Sequence, residues 1–258
     1  FSMIDKRDEE IDLLKTYLLK NKQTHAWESD ISTVKAIYAL VINDKINLSY
    51  FKEEPKILIN EEAINTESAN IYFKKTYDKQ EEIKEIKEIS IKKISNQASW
   101  GAIYLQYLEE IEEVQASSNQ ISIAKKIYVE RNTEQGSVIE KITEHTNLNI
   151  GDKIIVRLEF SLPNDMEYLS LKDQRASCLE PVEQISTHVW KGGLSYYQSH
   201  KDASTLFFFD FLAKGNYVLE YPLWLTHAGK FSSGIAEIQC LYAPEFKAHS
   251  KNIHIQIK

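Results

Sequence analysis

Basic residues are in deficit: 31 Lys and Arg stand against 38 Asp and Glu, for a formal net charge of −7. A nucleic-acid binder needs a basic face to neutralise phosphates, so this balance argues against that class. Long apolar runs are also missing. Runs such as Leu206–Phe209, interrupted by Asp210, fall far short of the ~20 residues that cross a bilayer as a helix. Cysteine is scarce. Cys178 and Cys240 fit neither a disulfide-dense scaffold nor a zinc site with Cys/His ligands at short spacings. No leader is visible, and a chain opening on Phe1 rather than Met reads as an excised fragment, so the missing leader says nothing about compartment.

What is present is material for a core. Hydrophobic residues make up 43% and aromatics 11%, which excludes wholesale disorder. The length of 258 residues accommodates one large domain or two to three smaller ones.

The chain begins with a helical pattern. Ile11, Leu14 and Leu18 recur at spacings of three and four, and Asn21-Lys22-Gln23-Thr24 reads as a break. Ser29 or Asp30 then caps a second helix with Ile31, Val34, Ile37, Tyr38 and Val41 on one face. From about Tyr50 short β-prone runs follow: Lys56–Ile59, Asn70–Phe73 and Ile121–Ile123. The charged tract Asp78–Lys93 reads as a loop followed by a strand, and Ala98–Glu110, with its Trp, Ile and Tyr, as a strand.

The last third is plainest. Ile154, Val156, Leu158 and Phe160 alternate with Lys153, Arg157 and Glu159, the period of a strand buried on one side. Thr205–Phe211, Asn216–Leu225, Gly234–Leu241 and the alternation of Ile253, Ile255 and Ile257 add strands, separated by Lys214-Gly215 and Ala228-Gly229 turn signals. The stretch Thr187–Asp202 reads as an aromatic loop between strand signals, or as a hairpin whose rings fold back onto the sheet. Together these predict an antiparallel sandwich.

Catalytic constellations are not apparent. Gly193-Leu194-Ser195-Tyr196-Tyr197 lacks the second glycine of a nucleophile elbow. His200, Asp202 and Ser204 cluster in sequence, whereas triads assemble from separate segments, so a polar turn is the simpler reading. The seven histidines show no helical His-x-x-x-His pair for a metal. Glu109, Glu110, Glu112 and Glu113 make a solvated acidic face. Asp173 and Arg175 fit a local ion pair worth about 0–1 kcal/mol if exposed.

Longer motifs add a resemblance. Leu212–Tyr221, Ala228–Phe231 and Gln239-Cys240-Leu241-Tyr242-Ala243-Pro244-Glu245-Phe246, with Met166-Glu167-Tyr168, Leu171-Lys172-Asp173 and Leu179-Glu180-Pro181 upstream, resemble the final macroglobulin-type domain of bacterial α2-macroglobulins. Trp27, Ser32-Thr33 and Ala36–Leu40 are similar to the end of that family's helical thioester domain, and Ser99-Trp100-Gly101-Ala102 with Tyr107-Leu108-Glu109 to its β-rich CUB-like domain. The resemblance implies a mainly β chain: a helical tail over 1–46, a CUB-like β domain over 47–133 and a macroglobulin-type β-sandwich over 134–258. It implies a non-catalytic, extracytoplasmic C-terminal segment of a protease trap, with no cofactor or metal. Its partners would be the upstream domains of the same chain and, through the full-length protein, proteases. The alternative is a periplasmic or cell-surface interaction module without inhibitory activity.

Three site expectations follow. The family's thioester motif is Cys-x-Glu-Gln, but this chain has Cys178-Leu179-Glu180-Pro181, with Gln184 three positions too late. Proline carries no carboxamide to form the acyl bond, so Cys178 is expected to be an ordinary strand-edge cysteine. An oxidising compartment permits a disulfide between Cys178 and Cys240, and two buried thiols are the other outcome. Trp190, Tyr196 and Tyr197 are candidates for an interdomain contact, since such rings bury large area beside a wet rim.

Overall fold

The structure is a computed structural model that describes residues 8–41, 56–64, 74–92, 103–106, 108–143 and 145–257. The expected strand Asn70–Phe73 and the Ser99-Trp100-Gly101-Ala102 and Tyr107 positions lie outside the described residues. The chain divides into two compact units, Phe1–Leu19 with Trp27–Gly101, and Lys20–Ala26 with Ala102–Lys258.

Helix α1 spans Asp8–Thr24 and α2 spans Asp30–Val41. The expected break at Asn21–Thr24 is absent: these polar residues sustain the last helical turn. Ser29 caps α2 as expected, its Oγ accepting from the Ser32 N–H at 3.1 Å. Strands β1 (Lys56–Ile59) and β2 (Glu62–Ala63), helix α3 (Gln80–Glu85) and strand β3 (Ile89–Lys92) follow. The strands pair antiparallel in the order β2-β1-β3. The charged tract thus ends in the expected strand, but a short helix stands where a loop was expected. The described part of Ala98–Glu110 is exposed and irregular rather than a strand, because its aromatic and aliphatic residues do not alternate.

The second unit is the sandwich. Its strands are β4 (Ser117–Asn119), β5 (Ser122–Thr133), β6 (Gly136–Lys141), β7 (Lys153–Leu162), β8 (Met166–Gln174), β9 (Leu179–Pro181), β10 (Thr187–Lys191), β11 (Leu194–Lys201), β12 (Ser204–Leu212), β13 (Gly215–Leu225), β14 (Gly229–Ser232), β15 (Ala236–Cys240), β16 (Lys247–His249) and β17 (His254–Ile257). One sheet runs β10-β11-β12-β8-β15-β16-β4, the other β6-β5-β7-β13-β9, and β14 pairs with β17. Every pairing is antiparallel, as between neighbouring β7 and β13, where Leu158 faces Leu219. Sequence reading set the sandwich boundary at residue 134, yet β5 is a central strand of the five-stranded sheet, so the sandwich takes in earlier residues.

The two inner faces form one core. Val156, Leu158, Phe160, Leu219 and Leu223 come from one sheet, Leu169, Leu171, Phe207, Phe209 and Ile238 from the other. Tilted rings interlock across it: Phe160 and Phe209 have centroids 5.9 Å apart, Phe207 and Tyr221 5.3 Å, a geometry that satisfies the ring quadrupoles. Pro181 sits in β9 at the sheet edge, where its missing N–H breaks no ladder.

Candidate interaction surface

Alternation along β5 puts Ile123, Lys125, Ile127 and Val129 on the buried side, so a lysine occupies an apolar row. Its Nζ lies 2.7 Å from Asp173 Oδ1 and donates to the carbonyls of Gln174 at 2.7 Å and Ser233 at 2.9 Å, which uses all three of its protons. Tyr221 donates its hydroxyl to the other Asp173 oxygen. Lys125 and Tyr221 belong to the five-stranded sheet and Asp173 to the seven-stranded one, so the trio pins the sheets together. Complete burial pushes the Asp173 carboxyl up from its ordinary value, and Lys125 pulls it back down. Burial, with Asp173 alongside, pushes the Tyr221 phenol well up.

A lysine, a carboxylate and a tyrosine in contact have the makings of acid–base chemistry. Here the Lys125 and Asp173 side chains are 2% and 1% exposed, so no substrate reaches them. The expected Asp173–Arg175 surface pair is corrected by the same geometry. Asp173 is buried and paired with Lys125, while Arg175 Nη2 donates to the carbonyls of Lys201 and Asp202 at 2.7 Å each. The polar network is a structural pin.

The aromatic stretch Thr187–Asp202 is a β-hairpin rather than a loop. Gly192 and Gly193 have φ of 60° and 79° and form the two-residue turn between paired Lys191 and Leu194, a conformation that glycine adopts without strain. Strand alternation then sorts the three candidate rings. Tyr196 is buried and packs on Phe207 and Phe209 with centroids 5.7 Å and 5.6 Å away, so it serves the core and is unavailable for an interdomain contact. Trp190 is 80% exposed and Tyr197 37%, with the His188 ring 5.2 Å from Tyr197. These two keep the exposure an interface ring needs.

A second aromatic patch was missed by sequence reasoning. Tyr168 and Tyr242 are exposed and meet edge to face at 5.1 Å. Tyr168 holds φ of 54°, unusual for a bulky residue, and its carbonyl accepts from the Leu241 N–H at 2.9 Å. Both tyrosines sat in motifs used for the family resemblance, but nothing local marked them as neighbours.

The remaining candidates fall out simply. Cys178 and Cys240 are both buried free thiols. Cys178 sits in the turn before β9, and burial pushes its thiol up to about 11; Gln184 is exposed. Asp202 and Ala203 form the turn between paired Lys201 and Ser204. The His200 ring nitrogens contact Gln198 and Thr205, and burial followed by Arg175 lowers its pKa. Glu109, Glu110, Glu112 and Glu113 are exposed. Among the described residues no group of three or more His, Cys, Asp and Glu side chains is placed to hold a metal ion, and no helix is long and apolar enough to cross a membrane.

The family model of the bacterial alpha-2-macroglobulin MG10 domain matches residues 121–245, the span from the start of β5 through β15. The sandwich is thus similar to that MG10 domain family. The chain is also similar in structure to Escherichia coli alpha-2-macroglobulin activated by porcine elastase, at 12% identity and a TM-score of 0.48, over 96% of this chain and 23% of that one. A trypsin-activated form of the E. coli protein gives 11% identity and a TM-score of 0.48 over 99% and 19%. Salmonella alpha-2-macroglobulin reacted with methylamine gives 15% and 0.45 over 56% and 10%. The chain therefore spans less than a quarter of the length of these three relatives. No curated protein matches it.

Proposed function

We propose that this chain is a non-catalytic, C-terminal segment of a bacterial alpha-2-macroglobulin-like protease trap, an extracytoplasmic protein whose bait and capture elements lie on other domains. The observation that carries this reading is the MG10 match over residues 121–245, which takes in β5 through β15 of the sandwich. The helical pair would then be the tail of a thioester-type domain, and the β-rich stretch between them the CUB-like domain. Trp190 and Tyr197 are the rings we assign to contact with upstream domains of the same chain, since they alone among the three hairpin candidates stand out of the core.

The test is made on the full-length parent. After treatment with trypsin or elastase, a trap leaves the enzyme active on a small chromogenic peptide and blocks its digestion of a large protein such as casein. Unimpaired casein digestion would sink the inhibitory reading and favour an interaction module of the cell envelope. A Cys-x-Glu-Gln motif in the parent, detected as a thiol released by methylamine, would mark covalent rather than purely physical trapping.

A further inference from the structure

The solvent face of the five-stranded sheet carries a feature that protease trapping does not use. Leu223 and Leu225 point into the core, so strand alternation turns Trp224 outward, where it is 42% exposed. In the cross-strand row it lies between Lys153 of β7 and Glu180 of β9, and Lys153 in turn faces Glu130 of β5. Trp224 opens onto a pocket of about 490 Å³ also lined by Glu130, Arg131, Asn132, Asp152 and Lys153. A smaller pocket of about 230 Å³ continues from it across Glu130 and Lys153 to Pro222 and Lys191. The larger volume falls within the roughly 300–1,000 Å³ of small-molecule sites.

The charges of this pocket are held in place by one another. Lys153 Nζ lies 2.8 Å from Glu130 Oε2, and the other Glu130 oxygen accepts from Ser137 Oγ at 2.6 Å. Arg131 Nη1 lies 2.9 Å from Asp152 Oδ2, which also accepts from the Asn149 N–H at 2.9 Å. Lysine pairing holds the Glu130 carboxyl below its ordinary value. Two cations and two anions line the cavity and cancel, so neither a phosphate nor an ammonium ion meets an unopposed partner. What remains is a set of oriented acceptors and N–H donors around an exposed indole.

We infer that Trp224 and the paired charges beside it form a binding site for a neutral oligosaccharide. A pyranose has an apolar C–H face that packs on an indole, and its hydroxyls both donate and accept. Glu130 and Asp152 supply acceptors, Lys153, Arg131 and Asn132 supply donors, and bonds to ionised groups are the stronger kind. The adjoining pocket leaves room for a second sugar unit along the sheet.

The test is an NMR titration of the intact chain with chitotetraose and with cellotetraose, following the indole N–H of Trp224, assigned through Trp224→Phe. A saturable shift with a Kd of about 1 mM or tighter for either sugar is expected, and the one that binds identifies the hexose class. Trp224→Ala should weaken binding at least about tenfold, and Trp190→Ala should leave it unchanged. Should Trp224→Ala fail to fold, Glu130→Gln keeps the side-chain shape and is expected to weaken binding several-fold. No shift with either sugar at about 10 mM, or full affinity in both Trp224→Ala and Glu130→Gln, overturns the site.

Discussion

Helix α2 and strand β7 carry equally regular apolar patterns and meet opposite fates. In β7 the alternating Ile154, Val156, Leu158, Phe160 and Leu162 are all buried. In α2 the helical-period residues Ile31, Val34, Ile37 and Tyr38 are 69%, 66%, 51% and 59% exposed. Periodicity marks a face that is able to be buried. Burial itself requires an opposing surface of matching shape, and the second sheet provides one for β7.

The largest expected effect tests that contrast directly. Phe209→Ala, at the centre of the ring cluster, should cost about 3–5 kcal/mol in urea unfolding, while Ile37→Ala in α2 should change stability by about 0.5 kcal/mol or less. Equal losses at the two positions would erase the distinction. Removing one partner of the buried pin comes next. Lys125→Met strands the Asp173 carboxylate in the core and should cost about 3–5 kcal/mol. Adding Asp173→Leu should recover part of that loss, because replacing both partners avoids the uncompensated charge. A double variant no better than the single one would show that the pair's geometry, not the stranded charge, sets the cost.

A smaller effect appears in alkali. Cys178 in the folded protein ionises near 11 rather than 9, so its contribution is fully present below pH 9 and is lost as pH rises from about 9 to about 11. Unfolding free energy should fall by about 2 kcal/mol from this group across that window. Tyr221, also pushed up, adds slope of the same sign. Cys178→Ala should flatten the thiol's share of the slope, and an unchanged profile would refute it. The smallest effect belongs to the surface of the same sandwich. Trp190→Ala should shift the stability of this chain by about 0.5 kcal/mol or less, yet loosen the full-length protein. A loss of about 3–5 kcal/mol here would place Trp190 in the core.

Legibility followed the number of residues that had to agree. Strand β7 was readable because it carries several alternating apolar residues whose period survives any partner, and β12 and β13 because short apolar and aromatic runs there end at turn signals. The sequence of β10–β11 leaves a loop and a hairpin both open, because Gly192-Gly193 and three aromatics suit either. Only pairing with β12 shows Tyr196 inward and Trp190 outward. Lys125 was legible in principle: a lysine between Ile123 and Ile127 in strict alternation signals a buried cation that needs a carboxylate. Which carboxylate it meets was not, since Asp173 lies on a distant strand of the other sheet.

Local chemistry by itself determined the mainly β character, the helical start, the capped α2 and the family motifs, because dihedral preference and side-chain period act over a few residues. The absence of a Cys-x-Glu-Gln at Cys178 likewise needed no structure. Tertiary structure alone decided that Tyr196 is core, that Tyr168 and Tyr242 touch, that Lys125 and Tyr221 meet on Asp173, and that Trp224 opens onto a charge-balanced pocket. Each of these joins residues far apart in the chain, and sequence spacing holds no information about such distances until the strands choose their neighbours and register.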